Sequence, residues 1–431
     1  MPYQTVPDSV RRFMDRITEL CGAEHADWAE NFNAAFANTL TTTVHRHADG
    51  TTFLLTGDIP AMWLRDSTAQ VRPYLPIAAE DDDLADMIEG LVRLQFRYIG
   101  IDPYANAFNE EPNGATWDPD DRSDFSSPWL WERKYELDSL CYPIQLAWLL
   151  YVNTGRVSQF DDTFISGMRR VLDVLETEQD HARSPYFFIR DCDIPTESLD
   201  NDGRGTPVAP TGMTWSGFRP SDDACTYHYL VPANMFAAVV MGYAERIFTE
   251  IVDDSALAAR ARALHESIDA GLRSHGTMTN AAGETIWAYE VDGLGHALLM
   301  DDSNVPSLMA APYLGYCAAD DPLYLSTRRT LLSAENPFYY EGAYAKGIGS
   351  PHTPPRYVWP IALSIQGLTS PDKAEKAAIL NNLVAIDAGT HLMHEGVCVD
   401  DPTQYTREWF SWSNMMFCEL VMDYFDIRVR H

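Results

Sequence analysis

An alternation dominates this chain and restricts its fold more than any single motif. An amphipathic helix, a long polar loop and a more apolar helix follow one another roughly six times over. The spacing of apolar residues predicts helices over Ser9–Leu20, His25–Val44, Asp82–Tyr98, Lys134–Asn153, Asp161–Glu178, Ala224–Ile251 and Ser255–Ser274. Further helices are expected over Pro306–Tyr316, Leu323–Ser333, Trp359–Leu368, Asp372–Ala388 and Trp412–Phe425. On His25–Val44, residues Trp28, Phe32, Ala35, Phe36 and Leu40 fall on one face. No strand-rich region stands out, although short hairpins fit inside the loops. The loops are too long to be mere connections, and they carry Trp, Tyr, Pro and Asp instead of the bland polar mix of disorder. A ring of helix hairpins accounts for the pattern: an all-α (α/α)6 barrel, a six-hairpin toroid with long active-site loops at one end. An open array of hairpins is the competing arrangement, but no fixed-length repeat supports it. No Ser/Gly linker marks a boundary, so residues 1–431 are expected to form one domain.

Composition narrows the function classes. The formal net charge of -32 argues against nucleic acid or an anionic membrane surface as a partner. No apolar run reaches the length of a membrane span, and residues 1–20 are amphipathic and charged, unlike a signal peptide. The seven cysteines are scattered, with no CxxC, which suits buried thiols in a reducing compartment such as the cytoplasm.

Polar and aromatic residues concentrate where long loops meet helices. Gly57–Tyr74, GDIPAMWLRDSTAQVRPY, sets Trp63, Arg65 and Asp66 at the mouth of an apolar helix. Asp66 or Ser67 there suits a helix cap, and the same residues suit a clamp for sugar hydroxyls. Trp129–Tyr142 carries Glu132, Lys134, Glu136 and Asp138, a set that also suits first-turn carboxylates and surface pairs. The other junctions are TGMTWSGFRPSDDACTYHYL, GSPHTPPRYVWP and HEGVCVDDPTQYTREWFSWSN. No GxSxG elbow, phosphate loop or HExxH is present. His391, His394 and Glu395 in HLMHE are a weak metal signal without a clear further ligand, so no metal or other cofactor is expected. Separated carboxylates beside aromatic platforms suit glycoside hydrolysis. A sugar epimerase or isomerase is the alternative, with His352, His391 and His394 as its acid and base. A non-catalytic sugar binder needs no paired carboxylates.

The segments GDIPAMWLRDSTAQVRPY, TGMTWSGFRPSDDACTYHYL and DDPTQYTREWFSWSNMMFCELV resemble glycoside hydrolase family 125, the exo-α-1,6-mannosidases, over about Asp58–Phe425. The resemblance implies an (α/α)6 barrel that works without metal and inverts anomeric configuration. It implies an oligosaccharide substrate with terminal α-mannose, such as an N-glycan fragment or a mannan oligosaccharide. Carried onto this chain, it makes an Asp of FRPSDD the general acid, Asp222 in preference to Asp223, with Asp223 then capping the following helix. The general base becomes Glu395 in MHEGV, with Glu408 in TREWF as runner-up. Arg65 and Asp66 resemble the pair that grips the terminal sugar. Glu136 and Asp138 occupy a similar junction, and His352, Arg356 and Trp409 become candidate wall residues. An inverting mechanism requires the two carboxyl groups roughly 6.5–9.5 Å apart. A helix start lowers a carboxyl pKa whereas a general acid needs it raised, so an ionised Asp223 and burial against Trp215 or Phe218 are expected to compensate.

Overall fold

The structure is a computed structural model and describes residues 3–431. Its residues divide into two compact units. The first comprises the chain up to Leu94, Leu146–Gln159 and Phe338–His431; the second comprises Gln95–Gln145 and Phe160–Pro337.

In the first unit the helix Ser411–Tyr424 is the centre of packing. Every residue from Ser411 to Asp423 is buried, against the helices Ala26–Asn38, Leu64–Val71, Pro360–Leu368 and Lys373–Ala385. Its sequence, SWSNMMFCELVMDY, is apolar or small on most sides, as an all-round buried helix must be. Trp28, Phe32, Ala35, Phe36 and Leu40 are all buried, as their spacing predicts. That helix gives way at Thr39–Thr43 to a π-turn and then to the strand Val44–Arg46. The threonine run favours this exit, since β-branched side chains crowd a helix and their hydroxyls bond back to carbonyls four residues earlier. Among the short sheets of this unit, Tyr357–Val358, Gly396–Cys398 and Tyr405–Thr406 form an antiparallel trio.

In the second unit the helices Val231–Arg246 and Ser255–His275 pair as a hairpin, and Asp162–Glu178 packs on the latter. Asp161 and Asp254 each accept two backbone N–H groups at the following helix start, the commonest role of such residues. Three expected helices shrink. Ala224–Ile251 starts only at Val231, because Glu290 takes the Thr226 and Tyr227 N–H groups at 2.8 and 3.0 Å and Pro232 suits a first helical turn. Pro306–Tyr316 reduces to Ala311–Leu314, because the buried Asp301 carboxylate captures the Leu308 and Met309 N–H groups. The helix expected from Lys134 starts at Leu137, since Asn106 Oδ1 and the Tyr186 hydroxyl accept from the Lys134 and Tyr135 N–H groups.

Candidate active site

In the first unit the opening motif and the last long loop are joined. Gly57 bridges Phe410, and the Asp58 N–H donates to the Trp409 carbonyl at 3.2 Å. Glu395 precedes the strand Gly396–Cys398, its N–H on the Thr406 carbonyl and its side chain buried. Arg407 Nη1 stands 3.6 Å from Glu395 Oε1, while Nε and Nη2 both donate to Asp58 Oδ1, at 2.9 and 2.5 Å. The guanidinium lies over the Phe410 ring, 4.3 Å from its centroid. Burial works against the Arg407 charge, but Asp58, Glu395 and Asp66 outweigh it and hold its pKa above the ordinary arginine value.

Arg65 and Asp66 are both buried, with Nε 3.4 Å from Oδ2, and Arg65 lies 5.5 Å over the Trp412 ring. Neither Asp66 nor Ser67 caps a helix: Leu64–Val71 starts before them, at the N-cap Trp63. His352 is exposed, its ring 6.4 Å from that of Trp359. Trp409 donates its indole N–H to Asn38 at 3.0 Å, and Arg356 is engaged with Asp400 and the Glu341 carbonyl. Glu408 is exposed whereas Glu395 is buried. Among the described residues, His391, His394 and Glu395 do not gather as a metal-holding group. His394 is a core residue, stacked on Tyr405 at 3.7 Å and hydrogen-bonded to backbone carbonyls, with burial lowering its pKa. Its ring is therefore poorly placed to serve as half of a histidine acid–base pair.

In the second unit the segment Arg219–Asp223 closes on itself. The Asp222 N–H donates to the Arg219 carbonyl at 2.9 Å, and the Arg219 N–H donates to the Asp223 carbonyl at 2.8 Å. Asp222 has φ +67, a left-handed conformation that costs a residue with a Cβ about 1 kcal/mol or more. Lys134 Nζ donates to the Asp222 carbonyl and to Glu197 Oε2, both at 2.7 Å. Asn106 Nδ2 reaches Asp222 Oδ1 at 3.3 Å and Glu132 Oε2 at 2.9 Å. Arg190 spans Asp121, Glu132 and Glu197. Burial, resisted by Lys134 and reinforced by Asp222, pushes the Glu132 carboxyl pKa up. Burial opposes the Lys134 charge, yet Glu132, Asp222 and Glu197 hold its pKa above the ordinary lysine value.

Asp223 is buried but caps no helix, since the next one starts at Val231. The helix-terminus penalty expected at Asp222 therefore does not arise. The Trp215 indole is sandwiched between His181 at 3.7 Å and His228 at 4.7 Å. Glu136 and Asp138 are buried around the first turn of Leu137–Thr154, with Ser139 Oγ donating to Glu136 Oε2 at 2.8 Å.

Several neighbours of the candidate residues carry no role in the sequence analysis: Asn106, Arg190 and Glu197 around Asp222, and Asp58 and Arg407 around Glu395. The only local signal for them is their presence in loops unusually rich in Asn, Asp, Trp and Pro.

A family model for metal-independent alpha-mannosidase, GH125, matches residues 25–422. A solved structure of a Streptococcus pneumoniae metal-independent alpha mannosidase, in a non-productive complex with alpha-1,6-mannobiose, is 54% identical, with a TM-score of 0.97. The match covers 99% of this chain and 100% of the streptococcal one. The Meiotically up-regulated gene 157 protein of Schizosaccharomyces pombe is 37% identical, over 98% of this chain and 88% of its own length. A glycosidase structure at 13% identity and TM-score 0.59 shares the fold alone, over 94% of this chain and 99% of its own. The chain thus has the all-α (α/α)6 fold expected from its helix–loop alternation, and its enzyme class is α-mannosidase among the glycoside hydrolases. It belongs to glycoside hydrolase family 125. Among the described residues no helix is long and apolar enough to cross a membrane.

Proposed function

We propose that this α-mannosidase is an exo-acting, inverting enzyme that removes terminal α-1,6-linked mannose, with residues 1–431 as one catalytic domain. The observation that carries this is the 54% identity, over 99% of the chain, to a mannosidase holding alpha-1,6-mannobiose. Asp222 is the general acid: its carboxyl proton passes to the glycosidic oxygen as the bond to C1 breaks. Glu395 is the general base: it takes a proton from the water that attacks C1 on the opposite face. The half-exposed Asp222, held from its backbone and side chain, and the buried Glu395 beside Arg407 suit these roles. Arg65, Asp66, Glu136 and Asp138 grip sugar hydroxyls, with His352 and Trp409 as wall residues. The residues require no metal or other cofactor for this chemistry.

Substrates of this class include N-glycan fragments and mannan oligosaccharides. Seven free thiols support a reducing compartment, the cytoplasm, where imported oligosaccharides would be trimmed. Proton NMR of an early digest of α-1,6-mannobiose tests the proposal. The first anomer released from the non-reducing mannose is expected to be β. A first-formed α anomer would overturn inversion, and intact mannobiose after long incubation would overturn the linkage.

A further inference from the structure

Asn106 lies in the long loop after the helix Asp82–Ile101, 116 residues before Asp222, and is fully buried. Its amide is fixed from three sides. Oδ1 accepts the Lys134 backbone N–H at 3.1 Å, which settles which end of the amide is nitrogen. Nδ2 then faces two carboxylates, Glu132 Oε2 at 2.9 Å and Asp222 Oδ1 at 3.3 Å. Glu132 cannot swing away, because Arg190 Nη2 holds its other oxygen at 2.9 Å. The Asp222 backbone is pinned as well, by Lys134 Nζ on its carbonyl at 2.7 Å. The side chain of Asp222 thus meets a donor of set direction on a backbone of set conformation.

We infer that Asn106 is a positioning residue for the general acid: by donating to Asp222 Oδ1 it fixes the orientation of the carboxyl group that carries the catalytic proton. The inference rests on the assignment of Asp222 as the acid. In the step concerned, the O–H bond of the Asp222 carboxyl breaks as the proton joins the glycosidic oxygen, and the C1–O electron pair leaves with that oxygen. Water forms the new bond to C1 and gives its proton to Glu395. The 3.3 Å contact is long for a hydrogen bond, as catalytic contacts often are before substrate arrives.

General acid catalysis matters when the leaving group is a poor one, such as a sugar alkoxide, and matters little for fluoride. The test therefore compares α-1,6-mannobiose with α-mannosyl fluoride, using Asn106→Ala, Asn106→Asp and Asp222→Asn beside the unaltered enzyme. Asn106→Asp keeps an acceptor for the Lys134 N–H and removes the amide donor, so it serves where Asn106→Ala folds poorly. The Asn106 variants are expected to lose roughly 10- to 100-fold in kcat on mannobiose, part of what general acid catalysis supplies, with KM little changed. On the fluoride they are expected to stay within about threefold of the unaltered enzyme, far less than such an acid contributes. Equal losses on both substrates, or none on mannobiose, would overturn the inference. Asp222→Asn separates the two levels. If it shows the leaving-group split and the Asn106 variants do not, the positioning role fails alone; if it keeps full activity on mannobiose, the acid assignment fails with it.

Discussion

His228 shows how fully a single residue's surroundings can choose its protonation state. Its Nδ1 donates to the Ser216 carbonyl at 2.9 Å, and its Nε2 accepts the Thr206 N–H at 3.0 Å, which together require the neutral ring. Burial drives its pKa from 6.5 to about 4, against the pull of the Ser216 carbonyl. Between those values the unfolded imidazole is protonated and the folded one is not. The unfolded chain then binds more protons, so stability falls as pH drops through that window, by roughly 3 kcal/mol in all. Denaturant unfolding of the protein and of His228→Gln should show this: the variant is less stable at neutral pH but loses less on acidification. Parallel acid limbs for the two would contradict the account. At the proposed acid and base the expectation is kinetic. Asp222→Asn and Glu395→Gln should each lower kcat on α-1,6-mannobiose by about 100- to 10,000-fold, with circular dichroism and the unfolding midpoint near those of the unaltered protein. Near-full activity of both variants would remove the two assignments.

At the scale of elements, the opening motif depends on one backbone approach. A Cβ at Gly57 would stand 2.3 Å from the Trp409 carbonyl oxygen, and its φ is +147. Backbone cannot yield as a flexible side chain can, so Gly57→Ala is expected to cost about 3 kcal/mol or more. It should also lower activity, because Asp58 next to it holds Arg407 beside Glu395. Gly50→Ala is the control: φ is +83 there, but nothing lies within 4 Å of a new Cβ. Thermal unfolding should rank Gly57→Ala well below Gly50→Ala, and equal midpoints would show that the close approach carries no energetic weight. The helices around these junctions were legible because each owns a local period, as with Trp28, Phe32 and Phe36 on one buried face. Their starts were less legible. Glu290, 64 residues further along the chain, takes the Thr226 N–H group, and no local pattern announces that.

Over the whole molecule, the net charge of -32 acts as self-repulsion in the folded state. Monovalent salt near physiological strength shortens the range of that repulsion to about 8 Å. The unfolding midpoint is therefore expected to rise by several degrees on going from a few millimolar to about 0.15 M salt, as followed by calorimetry. A midpoint that falls with salt would mean that surface ion pairs such as Arg260 with Asp173 and Glu176 outweigh the repulsion.

The sequence alone determined where the helices lie along the chain, the family resemblance and the short stretches proposed to hold an acid and a base, because periodicity and motif chemistry are properties of neighbours along the chain. Only the tertiary structure decided that Asp223 is buried without a helix to cap, that Arg407 stands between Asp58 and Glu395, and that Asn106 meets Asp222. Hydrogen bonds and close charges act over a few ångströms of space. Arg407 and its partner Asp58, for example, lie 349 residues apart in the chain.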